Sequence, residues 1–483
     1  MSLSKRVLSA FLVAAMCITV LYTGNQVKEE EEKNIFDQTA TLHLWYTDEA
    51  LTDYLGSMAV KYSEEHGIRV IPVLQSGLEL LEKINEASLS KENTPDLFIA
   101  TNDIIEKAYL TGLAMPIDNY DQAVGLTNFP ESAVHAVTYH QEIIGYPFYY
   151  ETSALLYNKT YLKDMAKKMI EEEEKAAQEE AAPEESGEEQ TQEQPSRDLE
   201  QLAEEKISSM IPTTFEKLLE FADNYDAPEN VEAVFKWDVA DIFYNYFFAG
   251  NYINAGGMCG DNTDAFDLYN EEAIRALMVY QKLSDYFAID ASTVDYNSVI
   301  GEFMEGKVVM TTATTDIVGK LEKAKEEGNF SFDYGIATIP RLTEDMETKG
   351  MSVTNAIYIN GYSPLKAEAN DFARFLVLDH AEELYEATGK VTANKNVVHD
   401  NIHLNTFMNE YQDSAPIPKV MAASNLLIKM EIMFDKIWEG EEVSGQLKQL
   451  SEEMMTQITG QPYEEEYIKI KEEYQEYIEY SQD

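Results

Sequence analysis

Tyr146-Pro-Phe-Tyr-Tyr-Glu-Thr-Ser-Ala-Leu-Leu-Tyr-Asn-Lys159 is the stretch on which the reading of this chain turns. Its first half gathers aromatic residues around Pro147 and a single carboxylate, Glu151. Its second half, Ala154 to Asn158, is a short apolar run closed by a turn former, which reads as a buried strand. A strand with aromatics and one carboxylate just upstream suits a crossover between two lobes. It also suits an ordinary core strand with an exposed glutamate, so the rest of the chain has to separate the two readings.

Outward from that stretch toward the N-terminus, strands and helices alternate. Thr41 to Tyr46 alternates in polarity and is rich in strand formers. Leu51, Tyr54, Leu55, Met58, Ala59 and Tyr62 follow at helical spacing and stop at Gly67. Ile68–Leu74 is a second strand, Leu78–Leu89 a second helix and Asp96–Ala100 a third strand. That order implies a parallel sheet with right-handed crossovers. Ligands of such sheets sit beyond the carboxyl ends of the strands, where this sequence presents Trp45, Tyr46, Asp48, Asn102 and Asp103. No Gly-rich phosphate loop follows any of these strands, so nucleotide binding finds no support.

Length and charge set further bounds. A chain of 483 residues accommodates two to three domains, and 45% hydrophobic content is a globular value. With 88 acidic against 36 basic residues, the net charge of -52 argues against nucleic acid and against an anionic membrane surface. Only Cys17 and Cys259 occur, which excludes a disulfide framework and leaves Cys259 as an expected buried free thiol. Seven histidines are scattered without a metal-binding pair, and no G-x-S-x-G elbow occurs. No enzyme constellation, cofactor or metal is expected.

Lys5 and Arg6 precede an apolar run to Gly24, the pattern of a secretory signal. Leu21-Tyr22-Thr23-Gly24 lacks the small residues of a clean cleavage site, and Met16 is large for lipoprotein processing at Cys17. A retained anchor or a poorly matched lipoprotein signal (1–24), followed by a flexible acidic tether (25–40), is therefore expected, with the rest of the chain outside the membrane. The tract 171–206, with 15 acidic and three basic side chains, is expected to be a mostly disordered insertion whose flanks extend as helices. A calcium loop is not supported, because the fixed Gly and spaced oxygen ligands are missing.

Downstream, Ile211–Tyr225 reads as a capped helix. The aromatic run Val239–Phe248 reads as a buried helix, with Trp237 and Asp238 at its start as cleft candidates and Lys236 as a weaker one. Glu271–Tyr286 is an amphipathic helix, Lys307–Thr312 a strand and Thr314-Thr315-Asp316 the start of another helix, whose amides can bond a ligand oxygen. Thr354–Asn360 reads as a second hinge strand. Tyr463, Tyr467, Tyr474, Tyr477 and Tyr480 are spaced as a helix stripe packed on the body or on a partner.

The motifs, in order, resemble a known family. They are Leu42-His-Leu-Trp-Tyr, Glu64-Glu-His-Gly-Ile-Arg-Val, Thr94-Pro-Asp-Leu-Phe-Ile-Ala, Gly112-Leu-Ala-Met-Pro-Ile-Asp and Tyr157-Asn-Lys-Thr-Tyr-Leu. Ile211-Pro-Thr-Thr-Phe-Glu-Lys-Leu, Phe303-Met-Glu-Gly-Lys-Val-Val-Met, Tyr334-Gly-Ile-Ala-Thr-Ile-Pro, Ser363-Pro-Leu-Lys and Phe372-Ala-Arg-Phe-Leu follow. From Thr41 to about Ile458 the chain resembles the extracellular solute-binding proteins of ABC importers, closest to their sugar-specific, maltose-binding branch. The resemblance implies a two-lobed α/β fold of the periplasmic-binding type, with hinge strands and a cleft between the lobes. The first lobe would hold 41–148 and 360–405, and the second 149–359 and 406–483. Glu151 matches a ligand-contacting glutamate, Asp103 an aspartate that bonds sugar hydroxyls, and Asp48 lies in a cleft-lining loop.

The departures are equally specific. The branch stacks sugars on tryptophans, but the matching positions here are Ala100, Asp316 and Ser424, and the arginine after the family's aspartate is Ile104. Trp45, Tyr149, Tyr150 and Trp237 are candidate replacements, and Asp238 and Asp316 are candidate hydroxyl acceptors. The expectation is a tethered monomer on the outer face of the cell membrane that captures a small polar solute, most simply a carbohydrate, and passes it to an ABC permease. The alternatives are a scaffold or adhesin without ligand and a glycoside-active enzyme.

Overall fold

A computed structural model describes residues 40–77, 79–90, 93–180 and 199–469. The expected anchor (1–24) and tether (25–40) lie outside them, apart from Ala40. Among the described residues no helix is long and apolar enough to cross a membrane.

Numbering only the strands of the main sheet, these are β1 (Thr41–Tyr46), β2 (Arg69–Leu74), β3 (Leu97–Thr101), β4 (Gly145–Asn158), β5 (Ala233–Phe235), β6 (Val308–Thr314), β7 (Tyr334–Ala337), β8 (Met351–Ile359), β9 (Val391–Thr392) and β10 (Ala415–Pro416). They run in the order β2-β1-β3-β8-β4-β6-β5, with β7 and β9 also on β4 and β10 on β8. β1 pairs in parallel with β2 and β3, as the alternation of strands and helices requires. The helix between β1 and β2, Thr52–His66, buries Tyr54, Leu55, Met58, Ala59 and Tyr62 and ends on Gly67 at φ 70°.

The 14-residue strand β4 belongs to two lobes. Residues 145–152 pair antiparallel with β8, which continues onto β3 in the first lobe. Residues 153–158 pair with β6 and β7 in the second. Strand periodicity then divides its side chains: Ala154 and Leu156 enter one hydrophobic core, Leu155 and Tyr157 the other. β4 and β8 are thus the covalent hinges of a two-lobed α/β fold.

Three local expectations are corrected. The aromatic run 239–248 forms two single turns, Ile242–Tyr244 and Tyr246–Phe248, rather than one helix. Side chains capture the backbone groups a helix would use: Asp241 accepts the Phe243 amide, and the Asn245 amide nitrogen donates to the carbonyls of Asp238 and Asp241. In the acidic insertion the flanks are helical as expected, the second from Leu199 to Met210, but the first runs from Lys159 as far as Glu180, well into the tract expected to be disordered. The two helices bury Ala166, Ile170 and Ala203 between them. Lys163 and Lys167 both reach Glu200 at 2.5 Å, and Lys206 reaches Glu173 at 2.7 Å. Each lysine thereby gains a carboxylate that composition alone does not reveal; residues 181–198 lie outside the described residues.

The tyrosine stripe is the third. The preceding helix Val443–Thr459 stops on Gly460, and Tyr463–Lys469 returns without helix. Its backbone is taken up by the second lobe instead, with the Ile468 amide donating to the Tyr269 hydroxyl at 2.7 Å and its carbonyl accepting from Ser444 at 2.9 Å. Tyr474, Tyr477 and Tyr480 lie outside the described residues. Cys259 is a half-buried free thiol.

Candidate functional site

Strand register builds a polar row across both lobes. Thr101 at the end of β3 stands opposite Asn355 of β8, and Asn355 stands opposite Tyr149 of β4. Two and four residues on, Glu151 and Ser153 share the face of Tyr149 because side chains alternate along a strand. Ser153 in turn stands opposite Thr314 of β6, and Asp316 follows at the head of helix Ile317–Glu326. Asp103 follows Thr101 at the other end and accepts its hydroxyl. The row therefore joins the strand ends of the first lobe to those of the second through the hinge.

A cluster forms where the loop after β1 meets this row. Asp48 caps a short turn by accepting the Ala50 amide at 3.1 Å, accepts the Tyr149 hydroxyl at 3.1 Å and lies 3.0 Å from the Lys390 ammonium. Lys390 also lies 3.2 Å from Glu151 and 5.4 Å from the centre of the Tyr149 ring. Burial would raise the Asp48 carboxyl, but Lys390, the Ala50 amide and the Tyr149 hydroxyl outweigh it and hold the group below its ordinary value. Burial likewise opposes the charge on Lys390, and Glu151 and Asp48 outweigh it, so its value is raised. Burial and the Asp48 charge push the Tyr149 phenol far up, which keeps it a donor.

Beside the cluster, a recess of about 260 Å³ opens at the carboxyl ends of the first-lobe strands, lined by Thr47, Ala100, Thr101, Ile104, Lys107 and Asn355 among others. Ala100 and Ile104, small and apolar side chains, line it with Thr47, Thr101 and Asn355. On the second-lobe side, the Tyr296 hydroxyl accepts from Thr314 at 2.9 Å and donates to Asp316 at 3.4 Å, while its ring stacks on Tyr244 at 4.9 Å.

The structure brings Asp48, Tyr149 and Glu151 together and places Asp103 and Asp316 at the two ends of the row, both exposed. It separates the other candidates from it. Tyr150 points to the opposite face of β4 and stacks on Tyr411 at 3.9 Å with the rings 1° apart. Trp45 is 8% exposed in the first-lobe core. Trp237 is fully buried: its indole N–H donates to Asn245, and its ring packs against Phe235 and Trp438. Neither tryptophan offers an open face for stacking, because a large apolar ring gains more from a closed core than from a wet cleft.

Asp238 is taken by structure as well. It accepts the amides of Ala240, Asp241 and Tyr296 at 3.1, 3.1 and 2.9 Å, and burial raises its carboxyl. Lys236 is held by Glu302 at 2.7 Å. Sequence reasoning missed Lys390 and Tyr296. Lys390 stands 239 residues from Glu151, just after the helix-stopping Gly389, and no local pattern marks it. Tyr296 follows Asp295 at the start of a helix with a capping box, a signal for the helix and not for the ring. Among the described residues no group of His, Cys, Asp and Glu could hold a metal ion.

Comparison with known proteins shows the family and the fold. The family model of the bacterial extracellular solute-binding proteins matches residues 57–409. A maltotriose-binding protein of Pyrococcus abyssi is 24% identical over 55% of this chain, and the matched region spans 46% of that relative, under half its length. A maltooligosaccharide ABC transporter solute-binding lipoprotein of Streptococcus pneumoniae is 22% identical over 78% of this chain and 79% of its own. The extracellular solute-binding protein of Staphylococcus aureus, solved with maltose, superposes with a TM-score of 0.67 at 20% identity, covering 88% of this chain and 98% of its own. That likeness carries the fold.

Proposed function

The chain belongs to the bacterial extracellular solute-binding proteins, and on that premise we propose that it captures an oligosaccharide of the maltooligosaccharide type and delivers it to an ABC permease. The observation that carries the reading is the polar row across the hinge, whose accessible members are Asp103, Thr101, Asn355 and Glu151 toward one lobe and Thr314 and Asp316 toward the other, with Tyr149 and Ser153 buried between them. A ligand lying on it touches both lobes, and only such a ligand binds the closed form better than the open one and so drives hinge closure. The names of the Pyrococcus and Streptococcus relatives support the sugar class.

The same site suits holding a sugar rather than cleaving it. Glycosidic cleavage needs one carboxyl kept protonated beside an ionised one. Here Asp48 is held below its ordinary range, and Glu151 shares its ammonium partner. The protein acts in this reading as a monomer on the outer face of the membrane, tethered through its basic-then-apolar segment from Lys5 to Gly24. The lipoprotein nature of the Streptococcus relative supports the tether.

The test is a thermal-shift and calorimetric panel of maltooligosaccharides, other neutral oligosaccharides, amino acids and short peptides. A ligand at 100 times its Kd stabilises the native state by about 2.7 kcal/mol, a visible shift. Glu151→Gln keeps the shape but weakens a charge-assisted acceptor, and is expected to lower affinity by roughly 10- to 100-fold at little cost in stability. A protein that melts cooperatively yet responds to no sugar would sink the reading.

A further inference from the structure

Lys390 rises from the loop between helix Glu383–Thr388 and β9, and the next two residues, Val391 and Thr392, pair with β4 at Tyr150 and Tyr149. Its backbone is therefore fixed to the strand that carries Glu151. The ammonium lies between Asp48 and Glu151, at 3.0 and 3.2 Å, with the side chain 23% exposed. The helix before it contributes Glu383, which is occupied by Lys61 at 2.7 Å and His380 at 2.9 Å. Opposite Glu151 on β8 stands Val353, which carries no charge.

Two anions share one cation, so the cluster carries one net negative charge. The adjoining recess adds Glu79, and Glu82 paired with Lys107; Asp103 and Asp316 close the row. A ligand hydroxyl finds ionised acceptors in this row. A ligand carboxylate or phosphate finds like charge, and the one cation of the cluster is already satisfied on both sides.

Building on the sugar-capture reading, we infer that Lys390 is a specificity-determining positioning residue: by clamping Asp48 to Glu151 it fixes a net-negative row of acceptors that takes uncharged, hydroxyl-rich saccharides and rejects acidic ones. Without the ammonium the two carboxylates repel, one of them takes up a proton more readily, and the acceptors lose their fixed geometry. The titratable groups of the cluster are Asp48 on the loop after β1, Tyr149 and Glu151 on β4, and Lys390 itself.

The test is calorimetry on the full chain with two probes of equal length, maltotetraose and maltotetraose oxidised to a uronate at its terminal C6. The wild type is expected to bind maltotetraose with a flat profile between about pH 5 and pH 8, and the uronate about tenfold more weakly or worse. Lys390→Met is expected to lose about tenfold in affinity for maltotetraose and to weaken further as pH rises through that range, when the unshielded pair loses its shared proton. Lys390→Arg, which keeps the charge, is expected to restore the flat profile.

Wild-type protein that binds the uronate as tightly as maltotetraose overturns the inference, as does Lys390→Met with wild-type affinity and a flat profile. Should Lys390→Met fail to fold, Lys390→Gln read over the same pH range decides, and wild-type affinity with a flat profile in that variant overturns the inference. Silence of the wild type toward maltotetraose and every other neutral sugar removes the capture reading and this inference with it. Sugar binding with no discrimination removes only the inference.

Discussion

Tyr149 and Tyr150 are neighbours of the same residue type on one strand, and they do opposite things. Tyr149 faces the polar row, gives its hydroxyl to Asp48 and its ring to Lys390. Tyr150 faces the back of the hinge, where it lies flat on Tyr411 with no hydrogen-bond partner for its hydroxyl among the described residues. The contrast extends along β4: Glu151 is accessible on the front, while Thr152 is buried on the back and bonded to the Met351 carbonyl at 3.1 Å. From Tyr149 to Thr152 the strand thus alternates a side that meets the cleft with a side that packs, before both faces enter hydrophobic cores beyond Ser153, and chemistry on one side of this segment should leave the other untouched.

The largest effect tests the packing face. Tyr150→Ala removes a fully buried ring and its stack, and is expected to cost about 3–5 kcal/mol in urea or thermal unfolding. If the variant melts like the wild type, the back of the hinge is not the packed element described here.

A smaller effect is set by pH on the same side. Glu410 sits on helix Ile402–Gln412 beside Tyr411, and burial pushes its carboxyl up to about 7, against a partly opposing bond from the Ile339 amide at 2.9 Å. In the unfolded chain a glutamate titrates near about 4.3. The folded value is the higher one, so its contribution is full below about pH 4.3 and is lost as pH rises toward 7, because only the unfolded chain ionises freely. Allowing for partial solvent access, Glu410→Gln should be more stable than wild type at pH 8 relative to pH 4.5 by about 1–2 kcal/mol. Equal melting differences at the two pH values would place this carboxyl in water and open the back face.

How much of this was legible in the sequence follows from the range of each signal. The alternation of strands and helices and the helix caps are local, and periodicity reports them, whereas β4 begins at Gly145, well before the Ala154–Asn158 run that its apolar pattern marks. Thr41–Tyr46 and Glu271–Tyr286 fall where their patterns place them. The run 239–248 misled because aromatic spacing does not record that Asp241 and Asn245 claim the backbone. The tryptophans misled for a related reason, since an indole's affinity for a core and for a sugar face is the same apolar attraction. Lys390 was out of reach in principle: its partners are set by the pairing of β9 with β4, a long-range contact that neither segment announces alone.

The finest distinction uses one chemical change, loss of a phenol oxygen, at two stacked rings of the back face. The Tyr411 hydroxyl shares a 2.8 Å hydrogen bond with Thr354 Oγ1 in a buried setting. Tyr411→Phe strands that threonine and should cost about 1 kcal/mol, with sugar affinity unchanged. The Tyr150 hydroxyl is as deeply buried and unpaired among the described residues, so in the folded state it bears a desolvation cost without a compensating bond. Tyr150→Phe should therefore leave the melting temperature unchanged or raise it. A clear fall would mean that this hydroxyl has a partner after all. The back of β4 would then be a second polar face, and alternation along the strand would no longer separate binding from packing.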